Sequence, residues 1–460
     1  MTSPLKNPMR QVRVVNAPDR AGKKYLIRTI GCQMNEHDSE RIAGLLEENG
    51  MERTDDISVA DVVFINTCTV RENADNRMYG NIGQMKEWKD ANPSMRIVVG
   101  GCAAQKDREL IRERAPWVDV VMGTHNLDRV VALLDICEES GPVVEILEEA
   151  RSFPSSLPSK RESLHSAWVT IQLGCNNTCT YCVVPEVRGR EMSRPPEDII
   201  REVEGLVADG VVEVTLLGQN VDTYGRDLAI GGRRKPVFAG LLRRVGSVEG
   251  IRRVRFTSPH PNDFNREVAE AMAATPTVCE HLHFPLQSGS DKILARMHRG
   301  YGPKRFMEKL QMARDLIPDL SVSTDVIVGF PGESEEDFEA TMRLIEEARF
   351  DSAFMFIFSP RPGTEAAKMI DEFVDPRVVS RRFDRLVAVQ NAISAEKNQE
   401  MVGKKAEVLV EGPSRKNQEV ATTRSRGGKI VHVGGVFEPG TFLDVEILEA
   451  HQNHLVGELS

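Results

Sequence analysis

The sequence predicts an α/β protein of three parts, and the order of its apolar runs is the main reason. Short apolar runs alternate with amphipathic stretches over residues 24–142, and they do so again over residues 161–396. Alternation of this kind is typical of parallel sheets with crossover helices. Residues 399–460 instead hold short β-prone runs separated by turn residues. We therefore expect two α/β domains followed by a small all-β barrel.

The first part contains three apolar runs, and each is followed by a helical stretch. The expected strands are Tyr25–Ile30, Asp61–Asn66 and Arg96–Gly100, and the expected helices are Glu36–Asn49, Glu72–Ala91 and Gln105–Arg114. Together they predict a parallel sheet with helices packed against it. Residues 151–166 are rich in serine and proline, which indicates a linker to the next part.

The second part is predicted to be an open or partial (β/α)6 barrel, because it has six apolar runs where a closed barrel has eight. Its expected strands are Trp168–Leu173, Glu213–Leu217, Arg253–Thr257, His281–Leu286, Ser321–Val328 and Ala353–Phe358. Helices such as Pro196–Ala208 and Lys304–Leu316 fit between them, and Val378–Asn398 is expected to lead out of the barrel.

The third part is predicted to form the small barrel from four short strands. They are Lys405–Val410, Glu419–Thr423, Lys429–Val433 and Thr441–Leu448. Turns such as Gly427-Gly428 and Pro439-Gly440 separate them.

Composition narrows the class of protein. No apolar run approaches the ~18 residues that a bilayer span needs, so no membrane association is expected. The N-terminus is polar and basic without an apolar core, which argues against a secretory signal. In such a chain the eight cysteines are expected to be metal ligands or buried thiols. The net charge of −10 argues against indiscriminate nucleic-acid binding, so any RNA contact must use local basic patches.

Cys175, Cys179 and Cys182 lie together in the run GCNNTCTYC. A structural zinc site and a ferredoxin-type cubane both need four ligands, and no fourth cysteine or histidine lies close in sequence. A cubane held by three thiolates leaves one iron open to chelate S-adenosylmethionine, whose reductive cleavage starts radical chemistry. The motif follows a predicted strand, at the edge where such folds build active sites. A zinc site completed by a remote ligand is the alternative.

Cys32, Cys68 and Cys102 lie far apart in the sequence, yet their contexts match. Each closes an apolar strand, in YLIRTIGC, DVVFINTC and RIVVGGC. Because the carboxyl ends of parallel strands share one edge of a sheet, we expect the three thiols to meet there. They predict a second cluster with one open iron, and three unrelated core cysteines are the alternative. Cys137 and Cys279 lack such contexts and are interpreted as structural.

From about Tyr25 onward the chain resembles the radical S-adenosylmethionine methylthiotransferases, and most of all their MiaB group. The segments that carry the resemblance are TIGCQMNEHDSE, FINTCTVRENA, GCAAQ, QLGCNNTCTYCVVPEVRGRE, EVTLLGQNVDTYG, FTSPHP, HFPLQSGSDKIL, TDVIVGFPGESEEDF and FSPRPGTEAA. The resemblance implies that residues 24–142 form the methylthiotransferase N-terminal domain, 161–396 the radical SAM core and 399–460 a TRAM domain.

The resemblance also implies two [4Fe-4S] clusters, whose six ligands fall on the two cysteine triads. The implied reaction is methylthiolation of C2 of N6-(dimethylallyl)adenosine next to the tRNA anticodon, at adenosine-37. One S-adenosylmethionine would methylate a sulfur on the second cluster, and another would give the radical that abstracts hydrogen from C2. We also expect a reductant protein of the flavodoxin or ferredoxin type and a monomeric chain.

Several further residues are candidates for contact with S-adenosylmethionine. Gly218 and Gln219 end the second barrel strand, where the family fold implies backbone contacts to the methionine amino group. Ser288 and Asp325 end later strands and are expected to contact the ribose or the carboxylate. A turn or a helix cap is the alternative for each. Asp222 stands where many relatives have asparagine, which is expected to alter fine contacts to substrate.

Basic residues in two places are candidates for RNA contact. Arg188, Arg190 and Arg194 follow the cluster loop and are expected to meet the anticodon stem. Five basic residues of the C-terminal barrel suit phosphate contact, and they are Arg415, Lys416, Arg424, Arg426 and Lys429. A solvated charged face is the alternative for this second group.

Three other functions compete with the implied one. The RimO group methylthiolates an aspartate of a ribosomal protein, and another group acts on threonylcarbamoyl-adenosine in tRNA. The segments LLGQNVD and SPHP favour the MiaB group. They argue against the RimO group and, less sharply, against the group that acts on threonylcarbamoyl-adenosine. A non-enzymatic iron–sulfur protein that binds RNA or transfers electrons is the third alternative.

Overall fold

A computed structural model describes residues 20–69, 72–149, 153, 157–229 and 234–460 of the 460-residue chain. The linker predicted at residues 151–166 lies partly outside these ranges. Within them, no helix is both long and apolar enough to cross a membrane.

The N-terminal domain is a six-stranded sheet in which every neighbouring pair is parallel, as the alternating pattern predicted. The strands are β1 Lys24–Thr29, β2 Glu52–Arg53, β3 Val62–Thr67, β4 Arg96–Gly101, β5 Val120–Met122 and β6 Val143–Glu145, in the order β2-β1-β3-β4-β5-β6. The helices are α1 Gln33–Glu48, α2 Glu72–Ala91, α3 Cys102–Asp107, α4 Leu110–Arg114 and α5 Val130–Ser140.

This domain departs from the sequence-based expectation near its C-terminal end. The single helix expected over Gln105–Arg114 is two helices, because Arg108 adopts a left-handed conformation with φ of 50° between them. The strands β5 and β6 and the helix α5 were not predicted, and β6 lies beyond residue 142. β5 and β6 are only three residues long, too short for their apolar character to stand out as a run.

The central domain is an open barrel of six parallel strands, which confirms the predicted partial (β/α)6 architecture. Its strands, with two short hairpin strands, are β7 Ser166–Thr170, β8 Gln172–Leu173, β9 Met192–Ser193, β10 Glu213–Leu217, β11 Arg253–Phe256, β12 His281–His283, β13 Ser321–Val328 and β14 Ser352–Ile357. They form two sheets, β7-β10-β11 and β12-β13-β14, and β8 pairs with β9. An isolated bridge between Val254 and Val278 leads from the first sheet towards the second.

Helices cover the outside of this barrel. They are α6 Val184–Arg188, α7 Pro196–Ala208, α8 Phe238–Gly246, α9 Arg266–Ala274, α10 Asp291–Arg296, α11 Pro303–Leu316, α12 Glu335–Ala348 and α13 Pro376–Gln399. Apolar strand residues such as Val169, Val214 and Val326 are buried against them in the main core. Alternate residues of the same strands, including Trp168 and Asp325, face the barrel interior and are half-buried, because side chains alternate across a strand.

The C-terminal domain is a closed barrel of five strands. They are β15 Lys405–Pro413, β16 Val420–Ser425, β17 Ile430–Gly434, β18 Phe442–Ala450 and β19 Leu455–Leu459, in the order β15-β16-β17-β19-β18. The sequence predicted the barrel but only four of its strands. Small apolar side chains such as Val408, Val431 and Val445 fill its interior.

The C-terminal barrel closes the amino-terminal end of the central barrel. Arg253, at the start of β11, is fully buried and donates hydrogen bonds to the carboxylate and carbonyl of Glu407 and to the carbonyl of Arg424. Arg255 donates to the carbonyls of Ser425 and Arg426 at 2.9 Å each. The opposite, carboxyl end of the strands is therefore the end left for chemistry.

Candidate functional site

The structure brings Cys32, Cys68 and Cys102 together at the carboxyl edge of the N-terminal sheet. They follow β1, β3 and β4, which are adjacent strands. Cys32 is the N-cap residue of α1, and Cys102 is the first residue of α3. The Cys68 and Cys102 side chains are buried, whereas Cys32 is half-buried. The three thiols therefore share one partly accessible pocket.

A pair of buried asparagines fastens the first two of these loops to each other. The Asn35 amide donates to Asn66 Oδ1 and to the Thr67 carbonyl, both at 3.1 Å. The Asn66 amide donates in return to the Asn35 carbonyl at 2.8 Å. Because each asparagine satisfies polar atoms of the other loop, the positions of Cys32 and Cys68 are fixed by hydrogen bonds rather than by packing alone.

The third loop needs glycine directly before its cysteine. Gly101 has a φ of 90°, and a Cβ placed there would collide with the Thr67 carbonyl and the Asn66 side chain. Only glycine allows both this backbone conformation and this close approach. The collision partners belong to the Cys68 loop, so the glycine is what brings Cys102 close to the other two thiols.

One arginine from the central domain reaches into this pocket. Arg188, the last residue of α6, donates from Nε to Cys102 Sγ at 3.3 Å, and its Nη1 lies 2.7 Å from Asp38 Oδ2. Its side chain is 3% exposed. Sequence reasoning placed Arg188 and Arg194 at the anticodon stem, and this is wrong for both. Arg194 is also buried and is paired with Glu202, so of the three arginines only Arg190 is exposed.

The thiols of this pocket have unequal proton affinities. A hydrogen bond with the Cys68 thiol, aided by the charge of Arg188, lowers the pKa of Cys32 to about 6 despite its burial. Burial raises the pKa of Cys102, and the Arg188 charge only partly offsets that effect. Deprotonated sulfur is the form that binds metal. Cys32 can therefore bind a metal at neutral pH, whereas Cys102 needs a nearby positive charge to lose its proton.

The second triad lies on a loop between β8 and α6, where each sulfur meets one N–H donor. The Asn177 backbone donates to Cys175 Sγ and the Val184 backbone to Cys182 Sγ, both at 3.4 Å. Arg299 donates from Nη1 to Cys179 Sγ at 3.3 Å. Three sulfurs that each accept a hydrogen bond are arranged as thiolate ligands require.

Burial opposes ionisation of these thiols in the free chain. It raises the pKa of Cys175 to about 12 and that of Cys182 to about 11. A cationic metal centre deprotonates such thiols on binding, and without one they stay protonated at neutral pH. The loop is therefore suited to a metal centre and poorly suited to a free nucleophilic thiol.

Arg299 connects this loop to the barrel interior. Its Nε donates to the Tyr301 hydroxyl at 3.1 Å, and that hydroxyl donates to the carbonyls of Pro285 and Leu286. The arginine and the tyrosine are both buried, so they hold a positive charge beside Cys179. This pair was not predicted from the sequence, because Arg299 and Tyr301 lie in the run HRGYG, and Arg299 is 120 residues after Cys179.

Arg299 also lines a cavity of about 170 Å³ at the carboxyl end of the barrel. Gln219 and Asp325, both predicted contacts for S-adenosylmethionine, line this cavity as well, whereas Gly218, the residue before Gln219, does not line it. Ligand cavities usually measure several hundred Å³, so only part of a nucleoside fits inside. The remainder would lie in the open barrel.

Ser288 does not line this cavity, contrary to the role predicted for it. Its side chain is fully buried, its hydroxyl lies 3.3 Å from the Thr341 hydroxyl, and it accepts a hydrogen bond from the Ser290 backbone. Its neighbour Gln287 lines the cavity instead. Ser288 begins the turn into α10, so the turn-and-cap alternative describes it correctly.

Asp325 belongs to a polar row on the inner face of the second sheet. His283 lies 3.2 Å from Asp325 Oδ2 through Nε2 and 3.0 Å from the Ser323 hydroxyl through Nδ1. The ring of Phe354, opposite Asp325 in the β13–β14 register, packs edge-on against His283 with centroids 5.9 Å apart. Phe354 is 54% exposed, which is unusual for a phenylalanine on a central domain strand.

A larger cavity of about 590 Å³ lies where the three domains meet. Its lining includes Gln33 and Glu40 of α1, Trp168 of β7 and Arg424 of the C-terminal barrel. Burial raises the pKa of Glu40 to about 7. None of the six cysteines lines this cavity, although Gln33, which does, directly follows Cys32 in the sequence.

Three of the five basic residues assigned to RNA in the C-terminal barrel are used inside the molecule. Arg426 forms a bidentate ion pair with Glu280, Arg424 pairs with Glu411, and Lys429 lies 3.1 Å from Asp351. The predicted phosphate role is therefore wrong for Arg426 and Lys429, because the barrel docks on the central domain through them, whereas Arg424 is held by an acidic partner within the C-terminal barrel itself. Arg415 and Lys416 are exposed.

The two triads fit iron–sulfur clusters better than single metal ions. Among the residues that the structure describes, no three His, Cys, Asp or Glu side chains converge on one metal ion. In a cubane each thiolate binds a different iron, so its ligands need not converge on a single point. The N–H donors at the sulfurs and the buried cations Arg188 and Arg299 suit an anionic cluster. This disfavours the zinc alternative.

Three family models match the chain, one in each domain. Residues 24–123 match the uncharacterized protein family UPF0004, residues 169–345 match the radical SAM superfamily, and residues 399–460 match the TRAM domain.

Curated relatives match nearly the full chain. A protein of Saccharopolyspora erythraea is 52% identical over 446 residues, covering 95% of this chain and 90% of the relative. One of Thermobifida fusca is 52% identical over 444 residues, covering 95% and 89%. Both are named tRNA-2-methylthio-N(6)-dimethylallyladenosine synthase.

Among solved structures, the radical S-adenosylmethionine methyltransferase TsrM from Kitasatospora setae is similar, with a TM-score of 0.55. It is 15% identical, and the match covers 75% of each chain. At that identity the likeness shows a shared fold.

Proposed function

The chain belongs to the family of tRNA-2-methylthio-N(6)-dimethylallyladenosine synthases, and on that premise we propose its reaction. It methylthiolates C2 of N6-(dimethylallyl)adenosine at adenosine-37, next to the tRNA anticodon, and gives 2-methylthio-N6-(dimethylallyl)adenosine. The observation that carries this proposal is identity of about half the residues over 95% of the chain. The radical SAM match supports the type of chemistry.

We propose that each cysteine triad holds one [4Fe-4S] cluster. Cys175, Cys179 and Cys182 would hold the first, and the triad at the edge of the N-terminal sheet would hold the second. When bound, the clusters supply radical cleavage of S-adenosylmethionine and the sulfur that is transferred. The support is that both triads lie at carboxyl edges of parallel sheets and carry N–H donors on their sulfurs.

The chain's own residues would position S-adenosylmethionine and exclude water. Gln219 and Asp325 line the cavity beside Arg299, Gly218 directly precedes Gln219, and these three residues are proposed to hold its polar groups. Asp325 is an acceptor for ribose hydroxyls or an ammonium group, and His283 keeps its carboxylate in place. Burial of Arg299 and Tyr301 keeps water away from Cys179.

The substrate base is proposed to enter through the open side of the barrel. Phe354 offers an exposed aromatic face on β14, next to the polar row that ends at Asp325. A purine stacks favourably on such a ring, and a dimethylallyl group adds apolar contact. The base would thus lie beside the cavity where the radical forms.

A reductant protein of the flavodoxin or ferredoxin type is proposed to supply the electrons. We propose the cytoplasm as the compartment, because clusters with an open iron need reducing surroundings. A monomer is proposed as the working form.

The test of the proposed function is nucleoside analysis. Mass spectrometry of tRNA from a strain lacking the gene should show N6-(dimethylallyl)adenosine without its methylthio group. Normal levels of the methylthio product there would contradict the proposal.

Two sets of cysteine variants test the division of labour between the triads. Alanine at Cys175, Cys179 and Cys182 should abolish 5′-deoxyadenosine formation by the reduced protein. Alanine at the three strand-end cysteines should leave that formation intact and stop sulfur insertion. Identical behaviour of the two triple variants in the cleavage assay would refute this assignment.

A further inference from the structure

In the sequence, Arg188 closely follows the triad Cys175, Cys179 and Cys182. In the folded protein, its side chain lies beside the strand-end cysteines of the N-terminal domain. Arg188 comes six residues after Cys182, at the end of α6. Its guanidinium nevertheless lies in the N-terminal domain, with Nε 3.3 Å from Cys102 Sγ. The short helix thus carries a cation from one domain into the cysteine pocket of the other.

The contacts around α6 show that this placement is specific. Val183 and Val187 are buried and pack in one cluster with Cys102. The Thr124 hydroxyl of the N-terminal domain donates to the Val187 carbonyl at 2.6 Å, and this bond is buried. Asp38 of α1 pairs with the guanidinium at 2.7 Å and is itself buried. Apolar packing, a hydrogen bond and an ion pair therefore all orient the same residue.

We propose that Arg188 completes the second cluster's site from the neighbouring domain and raises the reduction potential of that cluster. It is a positioning residue, because it acts on the cluster through the Cys102 sulfur. The inference rests on the proposed function, since it presupposes a cluster on the strand-end cysteines.

The physical reason is the charge that reduction adds. A cluster on three thiolates gains one negative charge when it is reduced, and an N–H donor and a fixed cation at a ligand sulfur stabilise that state more than the oxidised one. Arginine keeps its charge at every accessible pH. Its depth in the protein limits screening by solvent and salt, so the effect on the potential is larger than at a surface.

The experiment isolates the second cluster. In the background of Cys175→Ala, Cys179→Ala and Cys182→Ala, only the strand-end cysteines can hold iron. Arg188→Gln, which keeps a donor and removes the charge, and Arg188→Lys, which keeps the charge, are each added to this background. Iron content and the midpoint potential, from anaerobic titration followed by electron paramagnetic resonance, are measured for all three proteins.

We expect the midpoint potential of Arg188→Gln to be lower than that of the background protein. The potential of Arg188→Lys should lie between the two, and each protein should hold about four irons per chain. Loss of iron from Arg188→Gln but not from Arg188→Lys also supports the inference, since the site is then incomplete without the cation. An unchanged potential at full iron content in Arg188→Gln overturns it. A background protein that binds no iron overturns the proposed cluster itself, which is a distinguishable failure.

Arg20→Gln is the matched control. Arg20 is another buried arginine of the N-terminal domain, 1% exposed, and it pairs with Asp135 and Glu138. Its loss destabilises the same domain without touching the cysteine pocket. If Arg20→Gln lowers the potential as much as Arg188→Gln, general destabilisation explains the effect and the inference fails.

Discussion

Asp222 is a carboxyl group with almost no access to water. It is 1% exposed, and its Oδ2 accepts a hydrogen bond from the His260 backbone at 2.8 Å. Its other oxygen has no hydrogen-bond partner among the described residues. Burial raises the pKa of Asp222 to about 8, and the nearby charge of Asp263 adds to the rise. The residue is therefore held as the neutral acid at physiological pH.

This state makes the folded protein sensitive to alkali. In the unfolded chain the pKa of an aspartate is about 3.9, so between roughly pH 4 and pH 8 the folded state holds a proton that the unfolded state releases. The contribution is complete below about pH 4 and is lost as pH rises through about 8. Asparagine, which is isosteric with the neutral acid, cannot ionise and escapes this loss.

We therefore expect the free energy of unfolding of Asp222→Asn, relative to that of the parent protein, to rise by at least about 1 kcal/mol between pH 5.5 and pH 8.5, because the parent loses stability throughout the range between its two pKa values. Denaturant midpoints at the two pH values provide the measurement. Asp209→Asn, at a largely exposed carboxylate, serves as the control and should follow the parent at both. Parallel pH profiles for Asp222→Asn and the parent would contradict the argument.

The grouping of the six cysteines into two triads could be predicted from the sequence, and the charged groups that lie beside them could not. Each cysteine is tied to a local signal, either the spacing within one run or the end of an apolar strand. Arg188 and Cys102 are 86 positions apart, and Arg299 and Cys179 are 120 apart. A contact between a charged residue and a distant cysteine leaves no periodic pattern, so Arg188 and Arg194 were misread as an RNA surface.

At the level of elements, two neighbouring arginines of the β11 region pair with the same carboxylate but differ in their exposure to solvent. Arg253 is fully buried and Arg252 is about half exposed, and both pair with Glu407 of β15. Arg253 also donates to two backbone carbonyls of the C-terminal barrel. The buried residue therefore carries the docking of the two barrels, because loss of its bonds would leave buried acceptors unpaired.

We expect Arg253→Ala to lower the free energy of unfolding by about 3 kcal/mol, as removal of a buried charge partner does. Arg252→Ala, the control, should cost less than about 1 kcal/mol because water and salt screen its pair. Calorimetry is the measurement, and the lower stability should include earlier melting of the C-terminal barrel. Equal effects of the two substitutions would show that docking does not depend on the buried bonds.

The strand β14 presents different residues on its two sides. Phe354 faces the barrel interior, whereas Ile357, also exposed, differs from it in parity and lies on the other face. If the purine stacks on Phe354, Phe354→Ala should raise the KM for prenylated tRNA roughly 10-fold to 100-fold, as loss of a stacked base costs ~1–3 kcal/mol. Cleavage of S-adenosylmethionine in the absence of tRNA should be unchanged.

Steady-state kinetics with tRNA and a 5′-deoxyadenosine assay without it give the two measurements. Ile357→Ala should resemble the parent protein in both. A KM for Phe354→Ala within twofold of the parent would place the base elsewhere in the barrel.

For the whole molecule, the charge distribution limits where RNA can bind. The chain carries a net charge of −10, and Arg426 and Lys429 pair with acidic residues of the central domain while Arg424 pairs with Glu411 within the C-terminal barrel. Arg415 and Lys416 remain exposed in the turn between β15 and β16. This small basic patch of two residues on an acidic protein would orient the RNA as well as bind it.

We expect the double variant Arg415→Gln, Lys416→Gln to bind tRNA more weakly and to lower the slope of log affinity against log salt by about 1 to 2. Filter binding over a range of salt concentrations measures this slope, and the melting temperature should stay the same. Arg201→Gln, which removes an exposed arginine from α7, is the control. An unchanged slope in the double variant would exclude this turn from the RNA interface.

The domain plan was predictable because it depends on periodicity, which the sequence displays directly. Parallel strands, crossover helices and the C-terminal barrel each follow from a repeated local pattern. Among the elements missed were the short strands β2, β5, β6 and β9, the helix α5, and β19, whose run is interrupted by Gly457 and Glu458. The docking of the two barrels could not be predicted, because the sequence does not distinguish arginines that bind carbonyl groups from arginines that face water.

The six-residue connection between Cys182 and Arg188 sets a limit on how the molecule can move. Even fully extended, six residues span roughly 20 Å, and α6 makes this segment shorter still. As long as Arg188 keeps its place beside Cys102, the two sulfur triads therefore stay within that distance of each other, and we expect little room for a folded RNA to enter between the two domains. The RNA has to deform instead. Its target adenosine must leave the anticodon stack and turn outward into the gap, at the unstacking cost that other base-modifying enzymes also meet.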